Sequence, residues 1–211
     1  MAFKRTLLVE GIDDVNVLKH LCGNRGLPKL DDIKSHGGVD KLLESFPVRL
    51  KASEDGDIVG LVIDADMDLS SRWQSLRKHL SDVGYQNLPA EPSPEGSIFD
   101  PPAGILLPRV GIWIMPNNQT KGILEDFLRF LIPEGSRLFD HVQSSVDSIP
   151  EDEKRFRKID KPKAIIHTWL AWQKEPGKPL GTAITANFIT PHAAQADNLI
   201  AWLNRLFFNN S

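Results

Sequence analysis

The chain has 211 residues, 25 Lys+Arg against 28 Asp+Glu, a formal net charge of −3 and one Cys. At about 100–200 residues per domain this length fits one domain, or one domain with an elaboration. The charge balance excludes a generally basic nucleic-acid binder, so any such contact must come from a local patch. One Cys excludes an internal disulfide framework and a Cys-rich zinc site.

In chain order, residues 5–10 form an apolar run ended by Glu10 and Gly11, which predicts a buried strand closing in a tight turn. Val15, Val17, Leu18, Leu21 and Cys22 then mark a helix over 13–22, with Asp13 and Asp14 in its first turn and Cys22 a buried structural thiol. A weaker strand is expected at 31–36. A short helix follows from Val39, stopped near Pro47. The strongest strand is 58–63, apolar on both faces as a central parallel strand should be, and it runs into Asp64-Ala-Asp-Met-Asp68. Helix 70–82 has Ser70 or Ser71 as its expected cap.

Residues 85–110 hold six of the 15 prolines and read as an excursion from the core, with room for a short hairpin. Strand 110–115, a polar loop at 116–121 and helix 122–132 follow. The last third reads as helices near 136–147, over 161–173 and over 192–208, with a Gly/Pro-rich loop at 175–191. Strands alternating with helices predict an α/β fold, a mainly parallel sheet flanked by helices. The expected organisation is an α/β domain over 1–132 and a C-terminal helical elaboration over 133–211 packed on the same core. No apolar run approaches the roughly 20 residues of a membrane span. The N-terminal stretch lacks a secretory cleavage pattern, so the expected location is the cytoplasm.

In parallel sheets ligands bind beyond the carboxyl ends of the strands, and the acids fall there. Glu10 ends the first strand, Asp64, Asp66 and Asp68 follow the third, and Glu125 lies early in the helix after the last. Carboxylates converging at strand ends repel one another, and a divalent cation relieves the conflict. Mg²⁺ or Mn²⁺ takes hard oxygen ligands, and two ions about 4 Å apart can activate water and stabilise a leaving oxygen at a phosphodiester. The alternative is a set of acids capping separate helices, which is the better account of Asp13. An EF-hand loop starting at Asp64 is excluded, because Leu69 stands where Gly is needed and Ser75 where a bidentate Glu is needed. A receiver domain would end its first strand directly in the acidic pair, and a haloacid-dehalogenase-type phosphatase would carry Asp-x-Asp after that strand. Neither fits.

Val9-Glu10-Gly11-Ile12-Asp13-Asp14, followed by Val62-Ile63-Asp64-Ala65-Asp66, resembles the signature of Toprim domains. These occur in primases, type IA and type II topoisomerases, recombination-repair proteins, the ribonuclease that matures 5S ribosomal RNA, and OLD-type nucleases. The Glu-Gly-x-Asp-Asp form is closest to the last two groups, and Gly122-Ile-Leu-Glu125-Asp126 is similar to the later Gly-x-x-Glu element of OLD-type domains. The whole chain most resembles a small family of stand-alone Toprim-like proteins of bacteria and archaea. The motif resemblance covers about residues 5–132. It implies a Toprim-like, Rossmann-like fold. Glu10 would be a metal ligand or a general acid or base, and Asp14 a second acid. Asp64 and Asp66 would be a metal-binding pair that Asp68 extends, and Glu125 would help hold a second metal. Lys163 or Lys121 could set a cation near the leaving oxygen, or simply be solvated. There is no Gly-x-x-x-x-Gly-Lys-[Ser/Thr] ATPase motif, and Tyr85, the only Tyr, lies outside any strand-passage context.

Lys154-Arg155-Phe156-Arg157-Lys158, with Lys161 and Lys163, is the main basic run and reads either as a phosphate contact or as a solvated face. The five Trp residues, 73, 113, 169, 172 and 202, are expected in the core. His36 sits either in a plain loop or at the strand-end cleft. The expected function is Mg²⁺- or Mn²⁺-dependent phosphodiester chemistry on DNA or RNA, nuclease-like cleavage or nicking, with Glu10, Asp64, Asp66 and Lys163 as catalytic candidates and Glu10, Asp14, Asp64, Asp66, Asp68 and Glu125 as metal ligands. The alternatives are a non-catalytic metal-binding module in a repair or phage-defence complex, and a small-phosphate hydrolase. A protein partner or a homodimer through the last helix is open.

Overall fold

A computed structural model describes residues 3–54 and 56–209. Its centre is a five-stranded sheet of β1 (Arg5–Val9), β2 (Asp32–Ser35), β3 (Ile58–Asp64), β4 (Ser97–Phe99) and β5 (Arg109–Met115), in the order β2-β1-β3-β5-β4. All neighbours pair in parallel except β4, which is antiparallel to β5. The fold is therefore a Rossmann-like α/β arrangement with a mostly parallel sheet. From β1 the chain passes through α1 (Ile12–Asn24) to β2 on one side, then through α2 (Val39–Lys51) to β3 on the other. This reversal puts a topological switch point between β1 and β3, where open α/β sheets form crevices at their carboxyl ends.

Side chains alternate along the strands with period two, so each strand feeds both faces. Leu8, Leu61, Ile63, Ile112 and Ile114 pack with Leu42 and Phe46 of α2 and Trp73 and Leu76 of α3 (Leu69–Val83). Leu7, Val9, Val62, Trp113 and Met115 face α1, α4 (Leu124–Phe130) and the C-terminal helices. Those are α5 (Arg137–Asp147), α6 (Lys161–Ala171), α7 (Leu180–Thr185) and α8 (Ala194–Phe207). Gly60 and Gly111 are register partners on this second face. A Cβ at Gly111 would stand 2.4 Å from Leu206, and one at Gly60 2.7 Å from Leu7 and 2.8 Å from Phe207. The two glycines make the shallow seat that brings α8 down onto the sheet.

Several expectations are corrected. Pro47 does not stop its helix. The α2 helix continues to Lys51, because the extra turn buries Leu50 beside Phe46 and so offsets the backbone bond that proline forfeits. Residues 85–110 return to the core: β4 closes the sheet edge, and Trp202 packs over Gly96 and donates its ring N–H to the Ser97 carbonyl at 3.3 Å. Gly96, at φ +86, has no room for a side chain under that ring. The 175–191 segment contains α7, whose Thr and Gly content hid it. Packing makes this helix, since Gly181 lies so close to α1 that a Cβ would stand 2.7 Å from the Asn16 backbone. Trp172 is not in the core; it is 43% exposed beside His141. Cys22 is half-buried, and burial pushes its thiol up to about 11. Among the described residues no helix is long and apolar enough to cross a membrane.

Candidate metal centre at the β1–β3 switch point

Glu10 immediately follows β1, and Asp64 is the last residue of β3. The two neighbouring parallel strands end together, and the Glu10 Oε1 accepts the Asp64 backbone N–H at 2.7 Å. The Glu10 carbonyl in turn accepts the Gly38 N–H at 3.0 Å, tying the loop after β2 to the same edge. Gly11 opens α1 with an extended backbone, and Asp14 reaches back so that its Oδ2 accepts the Gly11 N–H at 3.0 Å. Asp14 thereby closes the helix N-terminus and stays buried, 7% exposed, while Asp13 points to solvent.

Beyond β3 the chain reverses at Asp66, which takes a left-handed φ of 56°, a conformation that Asp tolerates better than most residues. Asp66 and Gly122 exchange two backbone hydrogen bonds of 2.9 Å each, which carries the loop after β5 to the cluster. Gly122 is required there, because its φ is +146 and a Cβ would stand 2.7 Å from the Asp126 carboxylate. That bridge also explains why α4 starts at Leu124 rather than at 122. Asp126 accepts the Ile123 N–H at 3.0 Å, and Glu125, 4% exposed, sits in the first turn.

The carboxyls of Glu10, Asp14, Asp64 and Glu125 share one desolvated region. Burial, opposed by the hydrogen bond from Asp64 and reinforced by the charge of Asp66, raises Glu10 above its ordinary value. Burial and then the charge of Glu10 push Asp14 up to about 7. Asp64 is raised well above the usual carboxylate range, by burial first and then by Glu10, Asp14, Glu125 and Asp66. Burial also raises Glu125, against the pull of Lys163 and His167. The Oδ1 of Asp64 is buried with no hydrogen-bond partner among the described residues. An orphaned carboxylate oxygen among other desolvated carboxyls suits a hard divalent cation. As the side chains stand, no three His, Cys, Asp or Glu residues among those described are grouped to hold a metal ion. The donor chemistry fits Mg²⁺ or Mn²⁺; a preformed cage is not present.

The sequence-derived candidates thus divide. Glu10, Asp14, Asp64 and Glu125 converge. Asp66 adjoins them, but its Oδ2 is held by Arg72 in a 2.6 Å ion pair. Asp68 is exposed and caps α3, accepting from the Ser71 N–H at 3.0 Å and the Ser71 hydroxyl at 2.6 Å; it is the cap expected of Ser70 or Ser71. It is not among the charges that raise Asp64. Lys163, in the first turn of α6, acts on both Glu10 and Glu125. Lys121 instead lines a separate cleft with Met67 and Asn118.

Sequence reasoning missed Arg72 and His167. Arg72 donates its Nε to the Asp64 carbonyl at 2.9 Å while holding Asp66, so one guanidinium braces both acids of the Asp-x-Asp motif. An arginine in the first turn of the helix after that motif, where the dipole favours acids, is the signal that could have found it. His167 lies one turn beyond Lys163 on α6.

A Rossmann-like α/β sheet with half-buried Glu10 and Asp64 and buried Asp14 and Glu125 at its switch point defines the class of this protein. A family model described as "Protein of unknown function (DUF3226)" matches residues 4–208, and the chain belongs to that family. No curated protein matches the chain. No solved structure matches it.

Proposed function

We propose that the protein is a Toprim-type, metal-dependent enzyme of phosphodiester chemistry on nucleic acid, acting by nuclease-like cleavage or nicking. The observation that carries this reading is the orphaned Asp64 Oδ1 beside Glu10, at the end of the adjacent parallel strand, and Asp14 and Glu125, in the first turns of α1 and α4. Glu10, Asp14, Asp64 and Glu125 would hold Mg²⁺ or Mn²⁺, and Asp66 would join them if Arg72 yields its carboxylate. A bound divalent ion would supply Lewis-acid stabilisation of the phosphoryl oxygens. Glu10 keeps one oxygen on the Asp64 N–H, which leaves the other either to hold the ion or, with a pKa raised by burial, to take a proton from an attacking water. Lys163, whose charge already reaches Glu10 and Glu125, would offset charge on the departing oxygen.

The second reading is a metal-binding module without turnover, which the acidic balance of the chain, a net charge of −3, favours over an enzyme on nucleic acid. The test is calorimetric titration of Mg²⁺ and Mn²⁺ into the wild type and Asp64→Asn, beside cleavage of supercoiled plasmid and of RNA. Metal binding and cleavage that both vanish in Asp64→Asn support the enzyme. Binding without cleavage favours the module, and a wild type that binds neither ion sinks both.

A further inference from the structure

Two clefts adjoin beside the carboxyl cluster. The first, of ≈ 270 Å³, opens at Glu125 and Asp126 and runs past Arg129 and Phe139 to Lys158 and Lys161. The second, of ≈ 460 Å³, starts at the same two lysines and continues to Lys154 and Phe156. Lys158 and Lys161 line both, so the clefts follow one another along α5, the 3-10 turn at Lys158–Asp160 and the start of α6, and together they are called the groove. Arg129, Lys158, Lys161 and Lys154 are spaced along it, with Asp147 and Glu151 among them and Glu125 and Asp126 at its cluster end, and Phe156 adds a half-buried aromatic. Arg129 and Lys158 make no ion pair among the described residues; Lys161 is paired with Asp147, and Lys154 with Glu151.

A lone phosphate would meet the charge of one stretch of this groove. Only a chain of phosphates engages Arg129, Lys158, Lys161 and Lys154 together. A duplex calls for a broad basic face, whereas here the chain carries a net charge of −3 and these cations follow a narrow cleft. A cationic groove that tracks a backbone, with an aromatic for a base to lie against, is how single strands are bound.

We propose that this groove is the binding track for single-stranded nucleic acid, leading the strand from Lys154 to the carboxyl cluster at Glu125. The proposal rests on the phosphodiester reading and selects a polymeric substrate over a small phosphate. Asp147 and Glu151 act as internal competitors that the strand's phosphates displace from Lys161 and Lys154.

The test is fluorescence anisotropy of labelled oligothymidylate and oligouridylate in EDTA, with salt titration, on the full chain. Lys154→Ala/Lys158→Ala should weaken binding about tenfold and lower the salt slope by about 0.7 per lysine. Asp147→Asn should tighten binding by releasing Lys161. Lys78→Glu, on α3 at a separate surface cleft, should match the wild type, and circular dichroism confirms that each variant is folded. The stronger of the two oligomers identifies DNA or RNA. The track is overturned if the wild type binds neither oligomer, if Lys78→Glu weakens binding as much as the groove variant, if Asp147→Asn weakens it, or if a duplex of equal length binds more tightly. Strand binding that persists in Asp64→Asn, with no cleavage by the wild type in Mg²⁺, leaves the track standing and removes the nuclease.

Discussion

Asp14→Asn should stabilise the metal-free protein at alkaline pH and lose that advantage in acid. The amide keeps an oxygen to accept the Gly11 N–H and removes the buried charge. In the folded chain Asp14 titrates at about 7, against an ordinary 3.8. Between those values the folded state holds a proton that the unfolded chain has lost, so stability falls as pH rises through this window. About two pH units of it lie above pH 5, which at ~1.4 kcal/mol per unit costs the wild type about 3 kcal/mol by pH 8. Asn at 14 carries no such dependence. Urea unfolding in EDTA at both pH values should therefore show the variant gaining about 3 kcal/mol on the wild type from acid to alkaline conditions, or about 6–12 °C in Tm. Saturating Mg²⁺ should restore the wild type at alkaline pH. A stability gap that stays constant with pH would refute the reasoning, because it would mean Asp14 ionises as freely folded as unfolded.

Three further outcomes are expected. Gly111→Ala forces a methyl into Leu206 and should cost about 1–3 kcal/mol in urea unfolding; unchanged stability would mean that α8 does not rest on the sheet as described. Arg72→Ala frees the Asp66 carboxylate and removes a cation beside Glu10, and should tighten calorimetric Mg²⁺ affinity; an unchanged affinity would leave Asp66 outside the ligands. Asp68→Ala uncaps α3 and should lower Tm while leaving Mg²⁺ affinity at the wild-type value; a loss of affinity would return Asp68 to the metal ligands.

The elements whose residues carry a period were legible in the chain. The double-sided apolar run at 58–63 became β3, and the stripe of Leu199, Leu203 and Leu206 became α8. Elements that exist only through packing were not legible. The α7 helix has a weak helical composition and forms because Gly181 lets it lie against α1. The end of α2 runs past Pro47 because a buried Leu50 outweighs one forfeited backbone bond.

The site divides in the same way. Glu10, Asp64 and Glu125 could be singled out because they stand at the ends of buried strands or early in the helix that follows the last one, whereas Asp14, which the helix dipole alone would account for, was singled out by the resemblance to Toprim domains. Their roles could not be separated by spacing. Asp68 and Asp64 belong to one run of alternating acids, yet a single cap to Ser71 turns Asp68 out to solvent. By itself, the sequence determined an α/β sheet with acids at its strand ends, because periodicity and strand-end position are properties of neighbouring residues. The tertiary structure alone decided that β1 and β3 lie side by side at the switch point, that Arg72 occupies Asp66, and that Lys158 and Lys161 of the basic run line clefts beside α5 and α6. These depend on strand order and helix packing, which bring together residues far apart in the chain.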